Sequence, residues 1–198
     1  NASYAWGGTE LLNETLATNF GVQIDGNIEV DYHGFTYLID RLGGVDITLT
    51  SKEAVYMTKH GGLRESEQWQ MQEGLNHLDG NQALAYSRIR YIDSDFVRTE
   101  RQRTVLTQVL GKIQDMSTTE LMEILNQMLV QSTTDFTDEE LFLYALGFYP
   151  VLTDCEIVTQ QIPAEGTYKY ATIQGMSVIQ ADLEENTAIL QELLMPTN

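Results

Sequence analysis

The sequence predicts an α/β or α+β protein, and three observations carry that prediction. Segments with helical apolar spacing alternate along the chain with segments of period-two spacing. Helix start and stop signals, namely capping residues and glycine pairs, fall between those segments. With 198 residues, 42% apolar and 9% aromatic, the chain is long and apolar enough to bury a core without disulfide or metal staples. Its length suits one domain over 1–198. No repeat or low-complexity stretch divides it, and its three prolines are scattered at Pro150, Pro163 and Pro196.

Taken in order, Thr9 caps a helix over about 10–19, with Leu12, Leu16 and Phe20 at helical spacing and Gly21 as the stop. Ile28, Val30 and Tyr32 alternate as a half-buried strand does. Residues 35–42 read as a short helix ending at Gly43-Gly44, where a left-handed C-terminal turn wants glycine. Val45, Ile47 and Leu49 alternate again as a second strand. Residues 51–73 are polar with scattered apolar positions, and Gly61-Gly62 with the stretch 64–72 reads as an excursion. Asp79 caps a helix over 80–86. Residues 98–115 form a helix with Val105, Leu106, Val109, Leu110 and Ile113 as its apolar stripe. Two capping boxes, Ser117-x-x-Glu120 and Thr137-x-x-Glu140, open helices of about 118–131 and 138–147. Residues 155–162 and 168–173 read as strands joined by a turn at Ala164-Glu165-Gly166, residues 177–181 as another strand, and 182–195 as a final helix.

Eleven basic residues face 29 acidic ones, a formal charge of −18, which argues against loose nucleic-acid binding because phosphate neutralisation drives most of that affinity. No apolar run is long enough to span a bilayer. The single cysteine, Cys155, permits no internal disulfide and sits in a strand-like apolar pattern, where it reads as a small buried hydrophobe. His33, His60 and His77 lack ligand spacing, and none is assigned to a metal. Nucleophile-elbow, Walker, dinucleotide-binding and zincin signatures are all missing.

The basic residues are unevenly placed. Five of the 11 lie between positions 88 and 103, and all five are arginines: Arg88, Arg90, Arg98, Arg101 and Arg103. An arginine fork fits a carboxylate or a phosphate bidentately, so the island is either a set of surface salt bridges or an anion site. Arg98, Arg101 and Gln102 stand at i, i+3 and i+4 on the first turns of a helix. Unpaired backbone N–H groups and the dipole at that end favour an anion, which arginine by itself does not supply. Arg88 and Arg90 point the same way if their segment is extended, and residues 91–97 then fold both pairs toward one anion. Asp95 orients an arginine or accepts a proton; its ordinary alternative is a cap or salt-bridge partner.

These residues resemble the LytR–CpsA–Psr family. The resemblance is carried by Gly74-Leu75-Asn76-His77-Leu78-Asp79-Gly80-Asn81-Gln82-Ala83-Leu84-Ala85-Tyr86-Ser87-Arg88-Ile89-Arg90 and by Asp95-Phe96-Val97-Arg98-Thr99-Glu100-Arg101-Gln102. Asn1-Ala2-Ser3-Tyr4-Ala5-Trp6-Gly7-Gly8 and the stretch from Phe35 through Asp40-Arg41-Leu42-Gly43-Gly44-Val45 match as well. Together they make residues 1–113 the motif-bearing core, with 114–198 as a helix-and-strand C-terminal part of the same domain. The resemblance implies a central mixed β-sheet flanked by helices on both faces. It implies an envelope enzyme, anchored by an upstream membrane helix, at the extracellular face of a bacterial membrane. There it moves a teichoic acid or capsule polymer from a polyprenyl-pyrophosphate carrier to peptidoglycan through a new phosphodiester, assisted by Mg²⁺. By resemblance Arg88, Arg90, Arg98 and Gln102 contact the pyrophosphate, and Asp95 and Arg98 are catalytic. The family's first strands, its metal-binding aspartates and a further arginine have no counterpart in these 198 residues, which implies a sequence cut at its N-terminus or a piece supplied separately. Unpaired sheet edges left in that way invite dimerisation.

Two further functions compete with the transferase. One is a non-catalytic module that binds polyprenyl phosphate or another anion. The other is a transcriptional regulator, the family's older label, against which stand the acidic charge and the lack of a basic recognition helix.

Overall fold

The computed structural model describes residues 2–61, 69–129 and 131–194. The fold is mixed α/β, as the sequence predicts, with eight helical segments and six short strands among the described residues. It divides into two compact units, Ile28–Thr159, and Asn1–Asn27 with Gln160–Asn198.

The larger unit opens with strand β1 (Ile28–Val30), paired antiparallel to β4 (Ser132–Thr134). Ile28 and Val30 alternate as expected, but they face outward, and Tyr32 already belongs to the next helix. That helix, α2 (Tyr32–Arg41), starts three residues before the expected position because the Asp31 side chain accepts the Gly34 N–H and caps it. It ends at Gly43 and Gly44, whose φ values of +75° and +86° explain the glycine pair. Strand β2 (Val45–Leu49) buries Val45, Ile47 and Leu49 and exposes the residues between them.

Residues 51–60, for which the polar pattern with scattered apolar positions predicts no element, form helix α3 (Ser51–His60). Thr50 and Glu53 make a complete capping box that starts it. The expected excursion, Gly61-Gly62 with 64–72, lies partly outside the described residues, at 62–68. Strand β3 (Gly74–Leu78) pairs antiparallel with β2, with Val45 opposite Leu78. Helix α4 (Gly80–Ser87) follows its Asp79 cap as predicted. Helix α5 (Asp95–Gln114) begins three residues earlier than expected, at the Ser94 cap. Val105 and Val109 carry its buried stripe, whereas Leu106 is exposed. The main core joins Ile39, Ile47, Leu49, Met57, Leu78 and Ile89 to those two valines.

Helices α6 (Thr118–Leu129) and α7 (Asp138–Leu152) both start at their predicted capping boxes, and α7 runs five residues past the expected end. The expected strand over 155–162 is not formed. Instead the Gln114 side-chain amide donates to the carbonyls of Leu152 and Cys155, so a side chain satisfies backbone that a ladder would otherwise serve. Cys155 is exposed, contrary to the reading of it as a buried hydrophobe.

In the smaller unit, the helical run α1 (Ala2–Phe20) is broken at Gly7 and Gly8, just ahead of the predicted cap Thr9. Strands β5 (Tyr168–Ile173) and β6 (Met176–Ala181) form a hairpin whose turn residues, Gln174 and Gly175, both have positive φ. Strand β5 therefore pairs with β6 and not with residues 155–162. Helix α8 (Leu183–Leu194) closes the unit. Its buried residue is Asn186, which accepts the Ala164 N–H and donates to the Thr167 hydroxyl and the Asp182 carbonyl.

The described strands form three separate antiparallel pairs in place of the single central mixed sheet that the resemblance implies. No described helix is long and apolar enough to cross a membrane.

Candidate functional site: an arginine loop at the start of α5

Helix α4 ends at Ser87, and the backbone N–H of Arg88 donates to the carbonyls of Ala85 and Tyr86. Arg88 is therefore helical (φ −102°, ψ 0°), not extended as its spacing from Arg90 suggests. The next residue, Ile89, is 1% exposed and locked into the core. Burial of that one side chain leaves the flanking Arg88 and Arg90 outside. The chain bends through 91–93, and the Ser94 hydroxyl accepts the Val97 N–H to begin α5.

Asp95 occupies the first position of α5, where the helix dipole favours a negative charge. One carboxylate oxygen lies 3.3 Å from an Arg90 guanidinium nitrogen, and the other accepts a hydrogen bond from Arg98 at 2.9 Å. Asp95 thus gathers an arginine from the loop and an arginine from the helix. The trio keeps a net positive charge.

Arg98 is the more enclosed of the two arginines, with 15% of its side chain exposed against 63% for Arg90. Its Nε is buried and has no hydrogen-bond partner among the described residues. Arg88 lies over the Tyr32 ring, 4.6 Å from the centroid, and has no carboxylate partner among the described residues. The Gln102 amide reaches the Ser87 carbonyl at 3.4 Å and ties α5 to the end of α4 beside Arg88. Of the predicted site residues, the structure brings Arg90, Asp95 and Arg98 into direct contact. Arg88 and Gln102 engage Tyr32 and Ser87 respectively.

Arg101 departs from the sequence-based expectation, which set it beside Arg98 and Gln102 on the anion-facing side. It is 2% exposed and turned into the protein. Its Nε donates to Glu53 at 2.6 Å, one terminal nitrogen donates to the Ile89 carbonyl and to Asp93, each at 3.1 Å, and the other pairs with Asp93. Burial opposes its charge, but the hydrogen bonds with Asp93 and Glu53 outweigh that and hold the guanidinium above its ordinary value. Beneath it, burial and the negative charge of Glu53 push the Tyr86 hydroxyl up to about 12. A signal for this placement was present in the sequence. Arg101 precedes Val105 by four residues and Val109 by eight, so it lies on the buried stripe.

Among the described residues no group of three or more His, Cys, Asp or Glu side chains is gathered to hold a metal ion. The described residues therefore gather no carboxylate cluster for the Mg²⁺ that the resemblance implies. A cavity of about 210 Å³ between α6 and α7 is lined by Met122, Leu125, Leu141 and Phe142 among others, and none of the arginines lines it.

The sequence profile of the LytR_cpsA_psr family matches residues 1–193. The chain belongs to that family. Among its relatives is the polyisoprenyl-teichoic acid–peptidoglycan teichoic acid transferase TagT of Bacillus subtilis, 26% identical over 96% of this chain and 57% of TagT. The crystal structure of B. subtilis TagV matches the whole chain and 75% of TagV, at 25% identity and a TM-score of 0.74. The family structure of YwtF (TagT) with bound octaprenyl pyrophosphate shares the fold at 21% identity and a TM-score of 0.68, over 96% of this chain and 68% of that one. The chain spans about half the length of the curated relatives it matches.

Proposed function

We propose that the arginine loop grips the pyrophosphate of a polyprenyl-linked glycopolymer, and that the protein transfers that polymer to peptidoglycan. The observation that carries this reading is the meeting of Arg90 and Arg98 on the single carboxylate of Asp95, with exposed Arg88 on the same loop. Two guanidinium groups held by one carboxylate retain surplus positive charge and unused N–H donors. A diphosphate, with more acceptor oxygens and more charge than Asp95, draws both toward itself and offers an acceptor to the buried Nε of Arg98. The octaprenyl pyrophosphate bound by YwtF (TagT) and the teichoic acid transferase activity named for TagT agree with this chemistry.

In the proposed reaction a sugar hydroxyl of peptidoglycan attacks the phosphorus that bears the glycan. A phosphodiester to peptidoglycan forms, the P–O–P bond breaks, and polyprenyl monophosphate leaves. Arg98 and its neighbours neutralise charge on the non-bridging oxygens and on the leaving phosphate, which is the main demand of phosphoryl transfer. Once its arginines turn to the phosphates, Asp95 has oxygens free to take the proton of the attacking hydroxyl.

The reading places the work at the outer face of a bacterial membrane, where carrier lipid and peptidoglycan meet. It treats 1–198 as one functional domain, and it retains dimerisation through an unpaired sheet edge. The test is product formation from a lipid-pyrophosphate-linked glycan and a peptidoglycan fragment, followed by mass spectrometry. Polyprenyl monophosphate and a phosphodiester-linked product should appear, and Asp95→Asn should abolish both while keeping lipid binding. Binding without turnover by the wild-type protein would support the binding-module reading instead.

A further inference from the structure

We infer that Asp93 and Glu53, acting through Arg101, are positioning residues that hold the arginine loop in its binding shape. This inference rests on the pyrophosphate reading above.

The loop between α4 and α5 has little regular structure of its own. Residues 89–94 contribute neither a strand nor a helix, yet they carry Arg90 and join Arg88 to Asp95. What organises them is a side chain from the second turn of α5. Arg101 uses four of its five N–H donors, and three of the four go to the loop: one to the Ile89 carbonyl and two to the Asp93 carboxylate. The loop is therefore wrapped around one buried guanidinium and fastened near both ends. The Ile89 carbonyl lies between the two exposed arginines in sequence, and Asp93 sits two residues before Asp95.

Glu53 fixes the guanidinium from the other side. One of its oxygens takes the Arg101 Nε hydrogen bond, and the other accepts the backbone N–H and the hydroxyl of Thr50 at 2.8 Å each. The capping box of α3 thereby anchors Arg101, and Arg101 anchors the loop. None of these three residues makes the ion pairs of the Arg90–Asp95–Arg98 trio. Their influence on a bound diphosphate is therefore indirect, through the geometry of Arg90, which lies inside the fastened loop.

Asp93 is the residue to test, because its side chain lies at the rim (26% exposed) and its removal leaves the buried Glu53–Arg101 pair intact. Asp93→Ala should weaken binding of a soluble polyprenyl pyrophosphate by about tenfold, the scale on which loss of preorganisation acts. The same substitution made on an Arg90→Ala background should cost almost nothing further, because the arginine it positions is gone. Amide hydrogen exchange of residues 89–93 should quicken, while exchange in β2 and β3 stays as in the wild type. Asp93→Asn, which keeps one oxygen acceptor, should recover part of the affinity.

Unchanged affinity in Asp93→Ala overturns the inference, whether or not the loop exchanges faster. So does an equal loss on the Arg90→Ala background, which would mean a general structural effect. If the wild-type protein does not bind polyprenyl pyrophosphate, it is the functional reading that fails, and the exchange of 89–93 in Asp93→Ala still decides whether the clamp holds the loop.

Discussion

Replacing Glu53 by alanine removes two supports at once. The side chain is 8% exposed, and its two oxygens serve Arg101 at 2.6 Å and the Thr50 N–H and hydroxyl at 2.8 Å. Breaking a buried ion pair by deleting one partner costs about 3–5 kcal/mol, because the other charge stays buried. Losing half of a capping box adds about 1 kcal/mol. Asp93 still faces Arg101, which sets the ion-pair part toward the lower end of its range. The sum, about 4–5 kcal/mol, is a large share of the roughly 5–15 kcal/mol that holds a typical domain folded. Trp69 packs against the same core, so its fluorescence during urea unfolding reports on the unit concerned. Exposed Glu123→Ala is the control and should shift stability by no more than about 0.5 kcal/mol. Glu53→Gln keeps the capping geometry and should fall between the two. A Glu53→Ala protein within about 1 kcal/mol of the control would refute the assignment of Arg101 as a buried charge that needs this partner.

Three further outcomes are expected. Ultraviolet titration of the tyrosines should show one phenol, Tyr86, ionising near 12. Its folded value is raised, so its contribution to stability is complete below the ordinary value of 10 and is lost as pH climbs through 12; Tyr86→Phe should remove the late step. Glu140 is held below its ordinary value by the Thr137 backbone N–H and then by the Thr137 hydroxyl, so its contribution is present above the ordinary carboxylate range and is lost as pH falls through the lowered value. In Thr137→Ala the Glu140 carboxyl should titrate part of the way back toward 4.5 by NMR, and an unmoved titration would contradict the capping account. Gly80→Ala should lower the melting temperature although alanine favours helices, because the new Cβ would lie within 3 Å of the Thr36 backbone; a stabilised variant would contradict that close approach.

Much of the fold was legible wherever local chemistry decides it. The Asp79, Ser117 and Thr137 caps, the glycine pair after α2 and the alternation of Val45, Ile47 and Leu49 all do in the structure what their spacing implies. Helix α3 was missed although Thr50-x-x-Glu53 is the same box, because the scattered apolar residues after it hid the helical period. Strand β3 was missed because Asn76 and His77 interrupt its apolar pattern, and the partner strand β2 supplies what local sequence does not. Residues 155–162 look like a strand, but no described strand pairs with them and Gln114 takes the Cys155 carbonyl instead. At the site, sequence singled out the arginines but not their division of labour. Spacing placed Arg101 beside Arg98, whereas the fold sets Arg98 against the exposed Asp95 and turns Arg101, one turn later, onto the buried Glu53. The partners that make this division, Asp93 and Glu53, lie 8 and 48 residues from Arg101, and spacing along a single helix cannot reveal the second.

The most direct test of the central claim is a calorimetric titration of a soluble polyprenyl pyrophosphate into the wild-type protein and into Arg98→Ala, each with and without Mg²⁺. The account predicts saturable binding by the wild type and at least a roughly tenfold loss in Arg98→Ala, the scale of one charge-assisted contact to a phosphate. Equal binding by the two proteins, or none by a folded wild type, would contradict the claim that this loop is a pyrophosphate site.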